Sequence, residues 1–184
     1  MIRRTLLVTL GAGMASPALA QFDALTLTPI VKAVREGDEQ KVRQELLKGG
    51  NPNQIDTNRQ PLLMVAVVNS QFAVAETLLK GGAVVDATDG EGHTSLLRAA
   101  ERSDIDIVDL LLKRNAKPSA QTRQGVTAMM IAARLGNAEI VRLLLARKAD
   151  PNVPDFTGRT ALTYARQAGR ASIEAMLRQA GGRE

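Results

Sequence analysis

Residues 125–152 read GVTAMMIAARLGNAEIVRLLLARKADPN, and this stretch decides the fold. Thr127 is a natural N-cap residue, so a first helix is predicted over 129–135, ended by Gly136. A second helix is predicted over 138–147, because its apolar side chains recur at the spacing of one helical face. Those side chains belong to Ile140, Val141, Leu144 and Leu145. The Asp-Pro-Asn turn that follows completes one helix-turn-helix unit.

The same pattern returns along the chain every 33 residues. An alanine marks each repeat, at Ala33, Ala66, Ala99, Ala132 and Ala165. We expect only a methyl group to fit there, because two short helices meet each other and the next pair at that point. Sixteen positions after each alanine stand residues suited to a left-handed helix end, with one lysine among them: Gly49, Gly82, Asn115, Lys148 and Gly181. A period of this length indicates a solenoid of stacked units.

The repeats resemble those of the ankyrin family, most clearly at residues 125–133 and 139–145. The resemblance covers residues 28–182, and the period is the family's own. It implies an all-α fold, an ankyrin-repeat solenoid of five helix-turn-helix units joined by β-hairpin-like fingers. The units are expected at about 28–60, 61–93, 94–126, 127–159 and 160–182.

The chain departs from the family's T-P-L-H motif, whose histidine is absent from every unit. The corresponding residues are Val31, Met64, Leu97, Met130 and Thr163. The departure puts the hydrogen bonds between repeats in question and leaves the fold intact. We expect buried apolar contact at the substituted positions to offset part of that loss.

The first and last units carry polar residues where the inner units are apolar. Lys41 and Glu45 stand where inner units have valine, isoleucine or leucine, and Glu174 and Arg178 occupy columns of valine and leucine. Terminal repeats of a solenoid need such a polar outer face. We therefore expect a monomer capped at both ends.

Residues 1–20, MIRRTLLVTLGAGMASPALA, have the charge, apolar core and cleavage site of a signal peptide in the right order. The apolar run over 6–14 is too short to cross a bilayer, so no membrane span is expected. Cleavage after Ala20 would leave residues 21–184 as the ankyrin-repeat domain in the periplasm. The Arg-Arg pair at 3–4 also resembles a twin-arginine signal, although export by the general pathway is the preferred interpretation.

The composition points away from enzymes. The 184 residues include one His, no Cys, no Trp and four aromatic side chains. These counts exclude a thiol nucleophile, a disulfide and a histidine-based metal cluster, and they argue against base-stacking nucleic-acid folds. The net charge of +5 falls to +3 without residues 1–20, since 22 basic residues then face 19 acidic ones. We expect no catalysis, no cofactor, no metal and no nucleic acid.

His93 is the one candidate general base, and Asp89 or Glu91 could pair with it. The preferred interpretation is an exposed contact residue on a turn. A calcium site at Asp86, Asp89 and Glu91 is a weaker alternative, because the spacing lacks the loop ligands of a calcium cage. Three aspartates recur at one repeat position, as turn-forming carboxylates do: Asp56, Asp89 and Asp155.

The resemblance implies a binding surface made of finger tips and the exposed, concave side of the first helices. From residue 101 onward this surface is rich in arginine and carries an exposed aromatic, both of which are frequent at binding hot spots. The predicted partner-binding residues are Arg102, Arg123, Gln124, Val126, Arg134, Leu135, Phe156 and Arg159. We expect a protein partner with an acidic surface. A polyanion of the cell envelope, a glycolipid or polysaccharide, is the alternative.

Overall fold

A computed structural model describes residues 28–183. Within that range the chain forms ten helices in five consecutive pairs. They are α1 Pro29–Glu36, α2 Glu39–Leu47, α3 Leu62–Val68, α4 Phe72–Lys80, α5 Ser95–Glu101, α6 Ile105–Lys113, α7 Ala128–Leu135, α8 Ala138–Ala146, α9 Ala161–Gln167 and α10 Ala171–Gln179. The all-α prediction is confirmed. The predicted signal peptide lies outside the described residues.

The helices stack in two layers. Each first helix of a pair packs on its own second helix and on the first helix of the next unit, and the second helices form a parallel row behind them. The five repeated alanines lie where these contacts converge, and none is more than 2% exposed. Because neighbouring backbones approach there, a methyl group fills the space, as the sequence predicts. None of the described helices is both long and apolar enough to cross a membrane.

The positions that lack the motif histidine are mostly buried. Val31, Met64, Leu97 and Met130 are each at most 3% exposed. Met130 still makes a polar contact, since its sulfur accepts a hydrogen bond of 3.4 Å from the N–H of Thr127, whose hydroxyl accepts one of 3.3 Å from the Met130 N–H. Met130 is therefore buried and also forms a reciprocal N-terminal cap with Thr127 at the start of α7.

Second helices end in the left-handed conformation that the repeat predicts. The φ angles are +88° at Gly49, +90° at Gly82 and +86° at Gly181. Asn115 and Lys148 adopt the same conformation at +63° and +60°. A residue other than glycine is strained at positive φ. Lys148 at this helix end therefore costs conformational free energy that a glycine would not.

The fingers that join the units are held by a side-chain oxygen at one repeat position, which accepts hydrogen bonds from backbone N–H groups of the finger. Asp56 and Asp155 each accept hydrogen bonds from the N–H groups two and four residues later. Thr122 does the same through its hydroxyl, at 3.2 Å to Gln124 and 3.2 Å to Val126. Three fingers also close an isolated antiparallel bridge, at Ile55–Pro61, Thr88–Thr94 and Gln121–Thr127. The turn-forming role predicted for the aspartates is confirmed.

Candidate partner-binding face

The exposed side of the first helices and the fingers form one continuous surface, here named the first-helix face. Between the fourth and fifth units this face contains an open groove of about 490 Å³. Six of its seven lining residues form three pairs at equivalent repeat positions, 126/159, 131/164 and 134/167. The lining residues are Val126, Ile131, Arg134, Arg159, Tyr164, Gln167 and Ala168. The groove therefore has apolar walls crossed by two arginines and a tyrosine hydroxyl.

Arg134 lines this groove, and its guanidinium group is available to a ligand. It is exposed at the end of α7, and its side chain makes no hydrogen bond or ion pair with residues 28–183. Arg102 and Arg123 are exposed and likewise have no such partner in the described part of the chain. Guanidinium groups without an internal partner can bind carboxylates bidentately.

Arg159, one of the predicted partner-binding residues, already uses its Nε and Nη2 donors within the fold. Its Nε and Nη2 lie 3.0 and 2.9 Å from Oδ2 of Asp155, and Nη2 also donates to the Tyr164 hydroxyl at 2.9 Å. That hydroxyl donates in turn to Asp155 Oδ2 at 2.8 Å. The guanidinium carbon sits 4.8 Å from the centre of the Tyr164 ring. Arg159 thus helps to hold the groove wall, while 42% of its side chain stays exposed.

The same network sets the protonation of its members. Burial by itself disfavours the Asp155 carboxylate, but hydrogen bonds from Thr157, Arg159 and Tyr164 outweigh it and hold the pKa of Asp155 well below its usual range. Burial and the neighbouring carboxylate raise the pKa of the Tyr164 hydroxyl. Asp155 is therefore charged and Tyr164 is neutral at physiological pH.

Exposed apolar groups flank the groove. Phe156, at the tip of the last finger, is 77% exposed, and Leu135, at the end of α7, is 40% exposed. Gln124 is exposed on the preceding finger, and its carbonyl accepts the N–H of Phe156 at 3.1 Å. Val126 is only partly exposed because it packs against the core. Apolar and basic groups therefore adjoin along one edge of the face.

His93 is not the exposed contact residue that the sequence predicts. Its side chain is 13% exposed and is surrounded by carboxylates. Nδ1 lies 3.6 Å from Asp89 Oδ1 and 3.6 Å from Glu91 Oε2, while Nε2 lies 3.6 Å from Glu101 Oε1. The histidine is partly buried, and Glu101 at the end of the following helix, α5, lies beside its ring.

Arg98 is the cation at the centre of that cluster. Its Nη2 lies 2.7 Å from Asp89 Oδ2, and its Nη1 lies 3.1 Å from Glu101 Oε2. Burial disfavours the charged carboxylate, but hydrogen bonds from Arg98 and from the N–H groups of His93 and Glu91 lower the pKa of Asp89. The cluster is a structural ion-pair network, with Arg98 in the position equivalent to Tyr164 two units later.

Three possible metal ligands also meet in this cluster. The ligand atoms of Asp89, Glu91 and His93 lie within 4.8 Å of one another. The calcium site considered from the sequence consists of Asp86, Asp89 and Glu91, so the cluster contains His93 in place of Asp86. Both oxygens of Asp89 already accept hydrogen bonds, from two backbone N–H groups and from Arg98. A bound cation would have to compete with the adjacent guanidinium, which disfavours metal binding.

Comparison with known proteins identifies the repeats. A profile of the ankyrin-repeat family, spanning three copies of the repeat, matches residues 30–122 and again residues 96–182. The chain belongs to the ankyrin-repeat family. Ankyrin repeats generally mediate protein–protein interactions and are typically non-catalytic. A search among curated proteins finds no match to the chain.

Within this ankyrin array the predicted partner-binding residues fall into two groups. Those with exposed side chains are Arg102, Arg123, Gln124, Arg134, Leu135 and Phe156. Val126 and Arg159 are partly buried and line the groove. Sequence reasoning missed Tyr164 and Ile131 as groove residues, although both stand one position before a repeated alanine, a column that the period could have exposed.

Proposed function

We propose that this ankyrin-repeat protein is a non-catalytic module that binds a partner protein on the first-helix face of its third to fifth units. The observation that carries the proposal is the set of exposed guanidinium groups at Arg102, Arg123 and Arg134, each without an internal partner in the described chain. They lie on the same face as the exposed Leu135 and Phe156. Such a mixture of arginine and apolar groups is typical of interface hot spots.

The partner should present a carboxylate beside an apolar side chain. The carboxylate would pair with Arg134 at the rim of the groove, and the apolar group would contact Val126 and Ile131 inside it. Binding of this kind is more favourable for an arginine without an internal ion pair, because no existing interaction has to be broken. Arg159 would keep its bonds to Asp155 and shape the wall.

Site-specific photo-crosslinking tests the proposed face. A photoreactive amino acid placed at Leu135 should crosslink a partner in extracts of the cell envelope. The same group at Leu47, which is 83% exposed on a second helix, should not crosslink that partner. An Arg134→Glu change should reduce the crosslink by about ten-fold, as loss of a hot-spot arginine does.

The matched control for the charge change is Arg142→Glu. Arg142 is exposed on α8, away from the first helices, and pairs only with Glu139 among the described residues. Crosslinking should survive this change. Equal loss in both variants would show that only net charge matters, and crosslinking from Leu47 alone would refute the proposed face.

We also propose that the protein works in the periplasm after removal of residues 1–20. The order of charge, apolar core and small residues in that segment supports export. The test is the intact mass of the protein recovered from the periplasmic fraction, which should correspond to a chain beginning at Gln21. A mass that includes Met1, or recovery in the cytoplasm alone, would overturn this part of the proposal.

A polyanion of the cell envelope is the second candidate ligand. The three unpaired guanidinium groups favour it, because repeated anionic groups could pair with them without a specific shape. Such binding falls steeply with salt, since each contact is a screened charge pair. The affinity for a polyanion should also be unchanged by Phe156→Ala, whereas the affinity for a protein partner should fall when this aromatic side chain is removed.

A further inference from the structure

The groove between the fourth and fifth units has a positive charge that the described chain does not neutralise. Two arginines line it, Arg134 and Arg159, and no carboxylate of residues 28–183 does. Asp155, whose side chain is 2% exposed, lies behind the wall and is bound by Arg159 and Tyr164. Arg134 makes no side-chain hydrogen bond or ion pair with residues 28–183. The charge of Arg134 therefore favours an anionic group in the groove.

The polar rim of this groove lies one helical turn from its apolar floor. Arg134 follows Ile131 by three residues on α7, and Gln167 follows Tyr164 by three residues on α9. Ile131 is 3% exposed and contributes to the floor. Residues three apart on a helix have Cβ atoms about 5–6 Å apart. A ligand of this groove must therefore carry its anionic group and its apolar group within about that distance of each other.

Gln167 gives the rim an acceptor as well as a donor. Its side-chain amide is exposed on the groove wall and makes no hydrogen bond with residues 28–183. A carboxamide can accept an N–H and donate to a carboxylate oxygen at the same time. The last residue of a peptide offers both groups together, because its backbone N–H and its free carboxylate are attached to one Cα atom. The side chain on that atom lies within the distance that the groove requires.

An acidic residue inside a peptide fits the groove less well. In an extended segment, successive side chains point to opposite sides, so the next side chain on the same side is about 7 Å away. In a helical segment the spacing is suitable, but the backbone N–H groups are already bonded within the helix and cannot donate to Gln167.

We infer that this groove binds the carboxyl terminus of the partner protein, with an aliphatic last residue such as leucine or valine. Arg134 pairs with the terminal carboxylate, whose two oxygens match the planar guanidinium. The last side chain contacts Val126 and Ile131, and Gln167 accepts the last backbone N–H. The inference rests on the proposed function and names the part of the partner that the first-helix face recognises.

The single tyrosine of the chain makes this inference directly testable. The chain has one Tyr and no Trp, and Tyr164 lines the groove, so tyrosine emission of the full chain follows binding of a peptide that lacks both residues. The probe is an N-acetylated peptide of glycine and serine that ends in leucine with a free carboxylate. Amide chemical shifts of an isotopically labelled sample follow the same titration. Amidation of the peptide's carboxyl terminus should weaken binding by at least about ten-fold, because the charge-assisted bonds to Arg134 are lost.

Two arginine variants locate the binding site. Arg134→Gln should weaken binding of the free-carboxylate peptide by at least about ten-fold and leave the circular dichroism spectrum unchanged. Arg102→Gln is the matched control, because Arg102 is also exposed and has no partner within residues 28–183 but does not line the groove. Its affinity for the peptide should equal that of the wild type.

Equal binding of the amidated peptide, equal or tighter binding of an amidated peptide with an internal glutamate beside leucine, or equal loss in both arginine variants would overturn the inference. If that happens while the crosslink from Leu135 to a partner persists, the proposed face stands and only recognition of the carboxyl terminus is refuted. Peptide binding without any crosslink from Leu135 would instead support the terminal-carboxylate site and count against the wider face.

Discussion

Gly125 and Phe156 lie in contact across two successive fingers. A Cβ atom placed on Gly125 would lie 2.8 Å from Cδ1 of Phe156 and 2.9 Å from its backbone nitrogen. The N–H of Phe156 donates to the carbonyl of Gln124 at 3.1 Å, which holds the fingers at this separation. Glycine at position 125 therefore allows the last finger, with its exposed aromatic tip, to stack on the one before it.

Gly125→Ala should destabilise the protein more than Gly158→Ala. Both residues have positive φ, +80° and +82°, so alanine is strained equally by the backbone at either position. Nothing lies within 4 Å of a Cβ at Gly158, whereas Phe156 and Asp155 crowd one at Gly125. We expect a loss of roughly 1 kcal/mol for Gly158→Ala and about 1–3 kcal/mol more for Gly125→Ala. Urea unfolding monitored by circular dichroism measures the difference, and equal losses would contradict the finger contact.

The bonds of Asp155 should make stability depend on acid pH. The folded pKa lies below the unfolded value, so the stabilisation is present above about pH 4 and is lost as pH falls through the folded pKa. Asp155→Asn should lower the free energy of unfolding at pH 7 by about 2 kcal/mol and flatten its decline between about pH 5 and 2. Asp106→Asn is the control, because Asp106 makes no hydrogen bond within residues 28–183. Parallel pH curves for the wild type and Asp155→Asn would refute the assignment.

Lys148→Gly should stabilise the protein. Its φ of +60° is strained for lysine and relaxed for glycine, which occupies this column in three other units. We expect a gain of about 0.5–1 kcal/mol after allowing for the greater freedom of glycine in the unfolded chain. Asn115→Gly, at a φ of +63°, should gain less because asparagine tolerates this conformation. Thermal unfolding of the two variants gives the comparison, and a loss of stability for Lys148→Gly would contradict it.

Thr127→Ala should cost about 1 kcal/mol, as loss of an N-cap does. The hydroxyl accepts the Met130 N–H at 3.3 Å and is buried, so water cannot replace it. Thr160→Ala provides a comparison at the same repeat position, where the hydroxyl instead reaches the carbonyl of Arg183 at 2.8 Å. Thr127→Ala should lower native-state amide protection in α7, whereas Thr160→Ala should loosen the C-terminal residues. Identical protection patterns would be inconsistent with these two roles.

The sequence by itself determined the repeat, and through it the fold. The column at Ala132 requires a methyl group, the column at Asp155 requires a turn-forming oxygen, and the column at Gly49 requires a left-handed helix end. Each of these demands acts over a few residues of one unit, so the residue types that recur at the repeated positions reveal it. The period repeats these demands along the chain, which predicts a solenoid of stacked helix pairs.

Only the tertiary structure decided which charged residues are available. Arg159 and Arg134 are both basic residues of the same surface, yet one is held by Asp155 and Tyr164 and the other has no partner in the described chain. His93 is enclosed because Arg98 and Glu101 come from the following helix. Whether a charged side chain has an internal partner depends on distances of a few ångströms between side chains on different elements. The order of residues along the chain does not give those distances.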